Sequence, residues 1–120
     1  MKTLILDAIA AACAVCLLAN FDVTQFLGAH PVWSVNVAYY GAVPGIVLAV
    51  GLAYLTRFAL YFAVLDLSLS AGIVWWGKRM FVASNGENTL GGQMWFLGWI
   101  AVCACVVAVL ALLAQKVLNR

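Results

Sequence analysis

An acid inside an apolar stretch is the residue with the clearest chemical potential. Asp66 lies eight positions after Phe58 and ten before Trp76, near the middle of a run long enough to cross a bilayer. A charge at that depth costs about 2.5–3.5 kcal/mol on insertion scales, so such residues usually face other helices and pair with something. Ser70 follows one helical turn later on the same face, where its hydroxyl could hydrogen-bond the carboxyl.

The surroundings of Asp66 leave two interpretations open. No Lys or Arg lies at its depth, so the acid must be protonated, hold a cation, or meet a partner from another subunit. One interpretation is proton or cation coupling in transport. The other is buried polar packing, in which the carboxyl hydrogen-bonds to backbone or to Ser70 and fixes the helices.

Four cysteines also lie inside apolar runs. Cys13 and Cys16 are three positions apart and share a helix face, so they could chelate a metal ion, whereas Cys103 and Cys105 point about 200° apart. A thiol in apolar surroundings stays protonated and inert, and free cysteine often behaves as a small hydrophobe. We therefore expect structural cysteines and no cofactor, with a metal site at Cys13 and Cys16 as the lesser alternative.

The composition sets the class of protein that must position these residues. Of 120 residues, 68% are hydrophobic and 8% are charged, which is too apolar for a soluble or a disordered chain. The continuous runs are typical of helices and not of barrel strands. We predict one all-α integral membrane domain whose four transmembrane helices form an antiparallel up-down bundle. The helices are expected at about 4–21, 32–55, 58–76 and 95–114, with an outer loop over 77–94.

Two features orient these spans. A break at Thr56-Arg57 predicts a tight hairpin that makes the second and third helices antiparallel neighbours. Lysine and arginine favour the cytoplasmic side, and their distribution places both termini there, in what we expect to be a bacterial inner membrane. The tryptophans fall on the opposite side. The expected interface anchors are Trp33, Trp75, Trp76, Trp95 and Trp99 there and Arg57 on the cytoplasmic side.

A small-residue pattern in the second helix predicts close packing. Gly41 and Gly45 form a G-x-x-x-G motif that contains Pro44, and Ala49 and Ala53 continue it. Small residues let helix backbones approach closely, and the proline is expected to kink the helix. The approach can serve packing within one bundle or contacts between protomers, and both possibilities stay open here.

The sequence carries no metalloprotease, P-loop, nucleophile-elbow or dinucleotide-binding motif and no basic cluster for nucleic acid. We therefore expect a non-enzymatic protein whose partners are the lipid bilayer and other membrane subunits or itself, and not nucleic acid. The leading hypothesis is an accessory or structural subunit of a larger assembly, or a homo-oligomer. The alternative is a small oligomeric proton- or cation-coupled transporter or channel that uses Asp66, and a third hypothesis is a phage- or plasmid-type membrane immunity or lysis factor.

Overall fold

The structure is a computed structural model that describes residues 2–118. All regular secondary structure in this part of the chain is helical, which confirms the all-α class. Four of the helices are long and apolar enough to cross a membrane. The helices are α1 (Lys2–Asn20), the short α2 (Val23–Phe26), α3 (Asn36–Leu55), α4 (Ala59–Ala83) and α5 (Thr89–Val117).

The predicted outer loop over 77–94 was wrong, because only residues 84–88 separate α4 from α5. The stretch just after Trp76 contains good helix formers and continues α4. Its polar residues had suggested a loop, but they lie within the helix. The reversal itself uses Asn85 and Gly86, which both adopt left-handed backbone conformations with φ of 55° and 84°. Asn88 then caps α5, since its side-chain oxygen accepts a hydrogen bond of 2.8 Å from the backbone N–H of Gly91.

The other boundaries lie closer to their expected places. The chain leaves the helical conformation at Thr56, where the backbone is extended, and α4 begins three residues later. The second long helix starts at Asn36, four residues after the predicted start, because residues 31–35 form turns after Pro31. No feature of the sequence predicted α2, which follows Asp22, a residue in the left-handed backbone conformation.

The central helix of the molecule is α5, which packs against α1, α3 and α4. In an apolar 18-residue segment of α5, half of the residues are buried inside the protein, against 17% in the corresponding segment of α4. Within residues 2–118, α1 and α4 do not contact each other, and α4 has few contacts with α3. The expected neighbour relation between the second and third long helices is therefore wrong along most of their length, because α4 leaves α3 and lies along α5.

Pairs of contacting residues give the directions of the helices. Asn20 at the end of α1 hydrogen-bonds Tyr39 near the start of α3, so these helices are antiparallel. Gly77 on α4 lies against Trp95 on α5, which is also an antiparallel pair, whereas Gly41 on α3 lies against Cys103 on α5 in a parallel one. We call the end that holds residues 21–35 and 84–88 the tryptophan end, and the opposite one the terminal end.

Glycines set the closest helix contacts. A Cβ atom on Gly41 would lie 2.8 Å from Cys103 Cβ and from the Ile100 carbonyl oxygen, and one on Gly45 would lie 2.6 Å from Val107 Cβ. These glycines therefore pack α3 against α5 within one chain, so this seam is not free for contacts between protomers. Of the other motif positions, Ala49 is fully buried, Ala53 is half-buried and Pro44 is exposed inside an uninterrupted α3.

A second glycine contact joins α4 to α5 near the tryptophan end. A Cβ atom on Gly77 would lie 2.7 Å from the Trp95 backbone nitrogen and 2.8 Å from the Gly91 carbonyl oxygen. Gly51 on α3 and Gly72 on α4, by contrast, have open space where a Cβ would be. Both α3 and α4 thus carry one glycine in close contact with α5 and a second glycine in open space, which serves as a control for substitutions of the first.

We expect Gly41→Ala and Gly77→Ala to destabilise the protein by about 1–3 kcal/mol each, because the added methyl group meets backbone or Cβ atoms that cannot rotate away. Gly51→Ala and Gly72→Ala are expected to cause no loss, since the new methyl group meets open space and alanine favours the helix. The apparent midpoint of thermal unfolding in one detergent checks all four variants. Equal midpoints for Gly41→Ala and Gly51→Ala would contradict the packing described here.

Candidate functional site

The acid singled out by the sequence lies at the edge of the α4 surface that faces α5. The centre of that surface is formed by the buried residues Ala63, Ser70 and Gly77, and Asp66 lies between the first two, half-buried. The Asp66 carboxylate is close enough to Cys105 on α5 to interact electrostatically with its thiol. Asp66 is nine positions after Arg57, which corresponds to about 14 Å along a helix and is close to half of the thickness of a bilayer core.

The carboxylate of Asp66 has no hydrogen-bonding or ion-pairing partner in the part of the chain that the structure describes. It accepts no hydrogen bond there and forms no ion pair. Ser70, the expected partner, turns to α5 instead, where its Oγ lies 3.9 Å from Cys105 Sγ. The structure thus separates the two predicted polar residues: Ser70 makes a contact between helices, and Asp66 is left at the protein surface.

The cysteines all have free thiols in the structure. Cys103 lies against Gly41 of α3 and Cys105 against Ser70 of α4, on different faces of α5 as their spacing predicts. Cys13 is exposed and Cys16 is half-buried. Residues 2–118 contain no group of three or more His, Cys, Asp or Glu side chains that could hold a metal ion, so Cys13 and Cys16 have no third ligand there.

An aromatic cluster joins the loop after α1 to α5 at the tryptophan end. The centre of the Trp33 ring lies 5.2 Å from the ring centres of both Trp95 and Phe96. The His30 ring stacks on Trp33 with 5.9 Å between the ring centres. The indole nitrogen of Trp95 donates a hydrogen bond of 3.1 Å to the carbonyl oxygen of Gly28. These contacts hold residues 28–33 over the side of α5.

The five tryptophans differ in how far they are exposed. Trp75 and Trp76 are 61% and 60% exposed on α4, and Trp33 is half-buried. Trp95 and Trp99 are only 6% exposed, so the prediction that they anchor the protein in the interface was wrong for these two. Trp95 is buried because the loop between α1 and α3 folds over it, which the sequence pattern did not show.

The predicted anchor on the opposite side lies in a different setting. Arg57 is exposed in the turn between α3 and α4, with its guanidinium 4.9 Å from the centre of the Phe58 ring. It is therefore at the terminal end, away from all five tryptophans. An arginine stacked on an aromatic ring beside a helix end is well placed for a membrane–water interface.

Three polar contacts between separate elements were missed by the sequence analysis. Gln115 Nε2 donates to Asp7 Oδ2 at 2.6 Å and ties α5 to α1 at the terminal end. Asn20 Nδ2 donates to the Tyr39 hydroxyl at 2.8 Å, and the Thr24 hydroxyl donates to the Ser34 carbonyl at 2.6 Å. The only sequence signal for them is polarity near the ends of apolar runs, which does not say which residues pair.

Comparisons with protein-family models, with curated proteins and with solved structures gave no match to this chain. Its function has to be inferred from its own residues.

Two buried tryptophans one turn apart test the polar contacts at this end. Trp95 donates to Gly28, whereas the indole nitrogen of Trp99 is buried without a partner among the described residues. Trp95→Phe removes a hydrogen bond and leaves a carbonyl without its donor, so it should cost about 1–3 kcal/mol more than Trp99→Phe. Both changes remove the same atoms, and their thermal midpoints in detergent give the difference. Equal losses would show that the Trp95 hydrogen bond contributes nothing.

Proposed function

We propose that this protein is a non-enzymatic integral membrane subunit that joins a larger assembly through one face of α4. The observation that supports the proposal is the Asp66 carboxylate, which lies in the first half of α4, about midway along the chain between Arg57 and Lys78, without a hydrogen bond or ion pair in residues 2–118. Acids at such depth usually pair inside a bundle, and this chain supplies no partner there.

The residues around Asp66 form a continuous surface that the rest of the protein leaves uncovered. Positions three and four apart share a helix face, and on the outer side of Asp66 these neighbours, Phe62 and Leu69, are exposed apolar side chains, whereas Ala63 and Ser70 on its other side are buried. We call this surface the Asp66 face, which consists of Phe62, Asp66, Leu69, Ile73 and Trp76. The same spacing is typical of a helix that packs against another helix.

The partner that fits this face is a transmembrane helix of another protein with a basic side chain at the bilayer centre. The lysines and arginines within residues 2–118 lie near the ends of helices or in turns, so this part of a second copy would bring only another acid to this depth. Two carboxyl groups would have to share a proton, whereas a lysine or arginine would offset the charge directly. Charge complementarity therefore favours a different chain over a homo-oligomer.

Transport through a homo-oligomer remains the alternative explanation of Asp66. The surface cavities near the helix ends, of about 310–470 Å³, are lined by residues such as Trp75, Lys78, Leu97 and Lys116, and Asp66 lines none of these five. A coupling acid needs a path for the ion on both sides of it. The exposed apolar residues around Asp66 support association as the leading proposal.

The decisive test neutralises the acid and follows the partner. We expect Asp66→Asn to weaken co-purification in mild detergent by about tenfold, because it removes a charge-assisted contact between helices. Asp66→Glu should retain the partner, and Asp22→Asn is a matched control outside the spans, since asparagine tolerates the left-handed backbone at that position. Native mass spectrometry of the purified complexes measures the ratio of bound to free protein.

Capture of a protein is not sufficient support by itself. The captured helix must carry a basic residue near its middle, and neutralising that residue must release this protein as Asp66→Asn does. A monomer from native membranes, a homo-oligomer that loses proton flux in liposomes on Asp66→Asn, or a partner without such a residue would overturn the proposal.

A second measurement separates association from internal packing. Because Asp66 makes no hydrogen bond or ion pair within residues 2–118, Asp66→Asn should leave the thermal midpoint of the isolated chain unchanged. A fall of several degrees would instead show that the acid stabilises the fold of this chain.

A further inference from the structure

A cavity at the tryptophan end is lined by a lysine whose ammonium group forms no ion pair or hydrogen bond within residues 2–118. The cavity has a volume of about 310 Å³ and lies between α4, α5 and residues 27–28 of the loop. Its wall is mostly apolar and includes Leu27, Ala71, Val74 and Val102, whereas Lys78 is its one charged lining residue. Ligand sites commonly combine an apolar wall with a few polar groups of this kind.

The side chain of Lys78 is held at this cavity by contacts that do not neutralise it. Its Nζ lies 5.6 Å from the centre of the Trp95 ring, and a Cβ atom on Gly28 would come within 3.3 Å of it. Among residues 2–118, the ammonium group makes no ion pair and no hydrogen bond. The half-buried cation is therefore positioned, while its hydrogen-bonding capacity is free for a ligand.

The position of the cavity along α4 matches the level of lipid head groups. Lys78 is 21 residues after Arg57, which corresponds to about 32 Å along a helix and to the thickness of a bilayer core. Trp75, which also lines the cavity, is exposed at the same level, as expected of a residue in the membrane–water interface. The apolar side of the cavity then extends from this level toward the bilayer centre.

We infer that this cavity binds one anionic phospholipid, with the head-group phosphate on Lys78 and an acyl chain along Ala71, Val74 and Val102. The apolar wall selects a lipid over a soluble phosphate, because most of the cavity offers no polar contact. The unpaired lysine selects an anionic head group over a zwitterionic one, because a choline group would bring a second cation to the same place. This inference does not depend on the role proposed for Asp66.

The test compares lipid retention in matched charge variants. The protein is reconstituted in nanodiscs of equal parts phosphatidylglycerol and phosphatidylcholine and released for native mass spectrometry, which counts the retained lipids. We expect the wild-type chain to keep one phosphatidylglycerol in preference, and Lys78→Gln to lower that preference about fivefold, to the level of phosphatidylcholine.

Two further lysine and arginine variants distinguish a site from general attraction. Arg79→Gln removes the same charge from the next residue, whose guanidinium stacks on Trp75 at 4.6 Å, and Lys116→Gln removes one at the terminal end. Both should keep the wild-type preference, as should Lys78→Arg. An equal loss in Arg79→Gln or Lys116→Gln, or no loss in Lys78→Gln, would overturn the proposed site.

Two controls address the apolar wall and the source of the phosphate. Val74→Trp fills the apolar wall and leaves Lys78 in place, so it should also abolish the preference, and a wild-type result would contradict the inference. sn-Glycerol 3-phosphate at millimolar concentration should not displace the lipid. Its displacement of the lipid would show that the cavity takes a soluble phosphate and would overturn the lipid assignment.

Discussion

The packing of glycine-bearing helices against α5 is the constraint on which the rest of this structure depends. In a bilayer, lipid tails solvate an apolar helix about as well as another helix does, so association rests on close van der Waals packing and a few polar contacts. Gly41 and Gly45 bring α3 onto one side of α5, and Gly77 brings α4 onto another. The alanine-rich α1 completes the contacts of α5 by packing on both α5 and α3.

This arrangement determines which polar residues are satisfied and which are left over. Asp7, Asn20 and Ser70 lie where two helices meet, and each finds a partner on the neighbouring helix. Asp66 lies at the edge of α4, and α4 contacts little besides α5, so the same geometry gives its carboxylate no partner in residues 2–118. The proposed association surface is exposed because α4 packs almost entirely on α5.

The aromatic cluster has a comparable effect at the tryptophan end. It fixes residues 28–33 over α5, buries Trp95 and closes one side of the cavity at Lys78. The Trp95 ring attracts the ammonium group of Lys78 without forming an ion pair with it. Asp66 and Lys78 thus lie about 18 Å apart along α4, and neither forms an ion pair or a hydrogen bond within residues 2–118.

The sequence by itself determined the all-α class, the four membrane-length helices and the residue that violates their apolar composition. These follow from local properties, since run length, hydropathy and turn residues act within a short window. Only the tertiary structure decided that Gly41 and Gly45 pack inside the chain, that Ser70 contacts Cys105 instead of Asp66, and that Trp95 and Trp99 are buried. Residues 77–94 show the reason: local helix formers continue α4 beyond Trp76, and Gly77 then packs on Gly91 and Trp95 of α5, a contact that no spacing along the chain reveals.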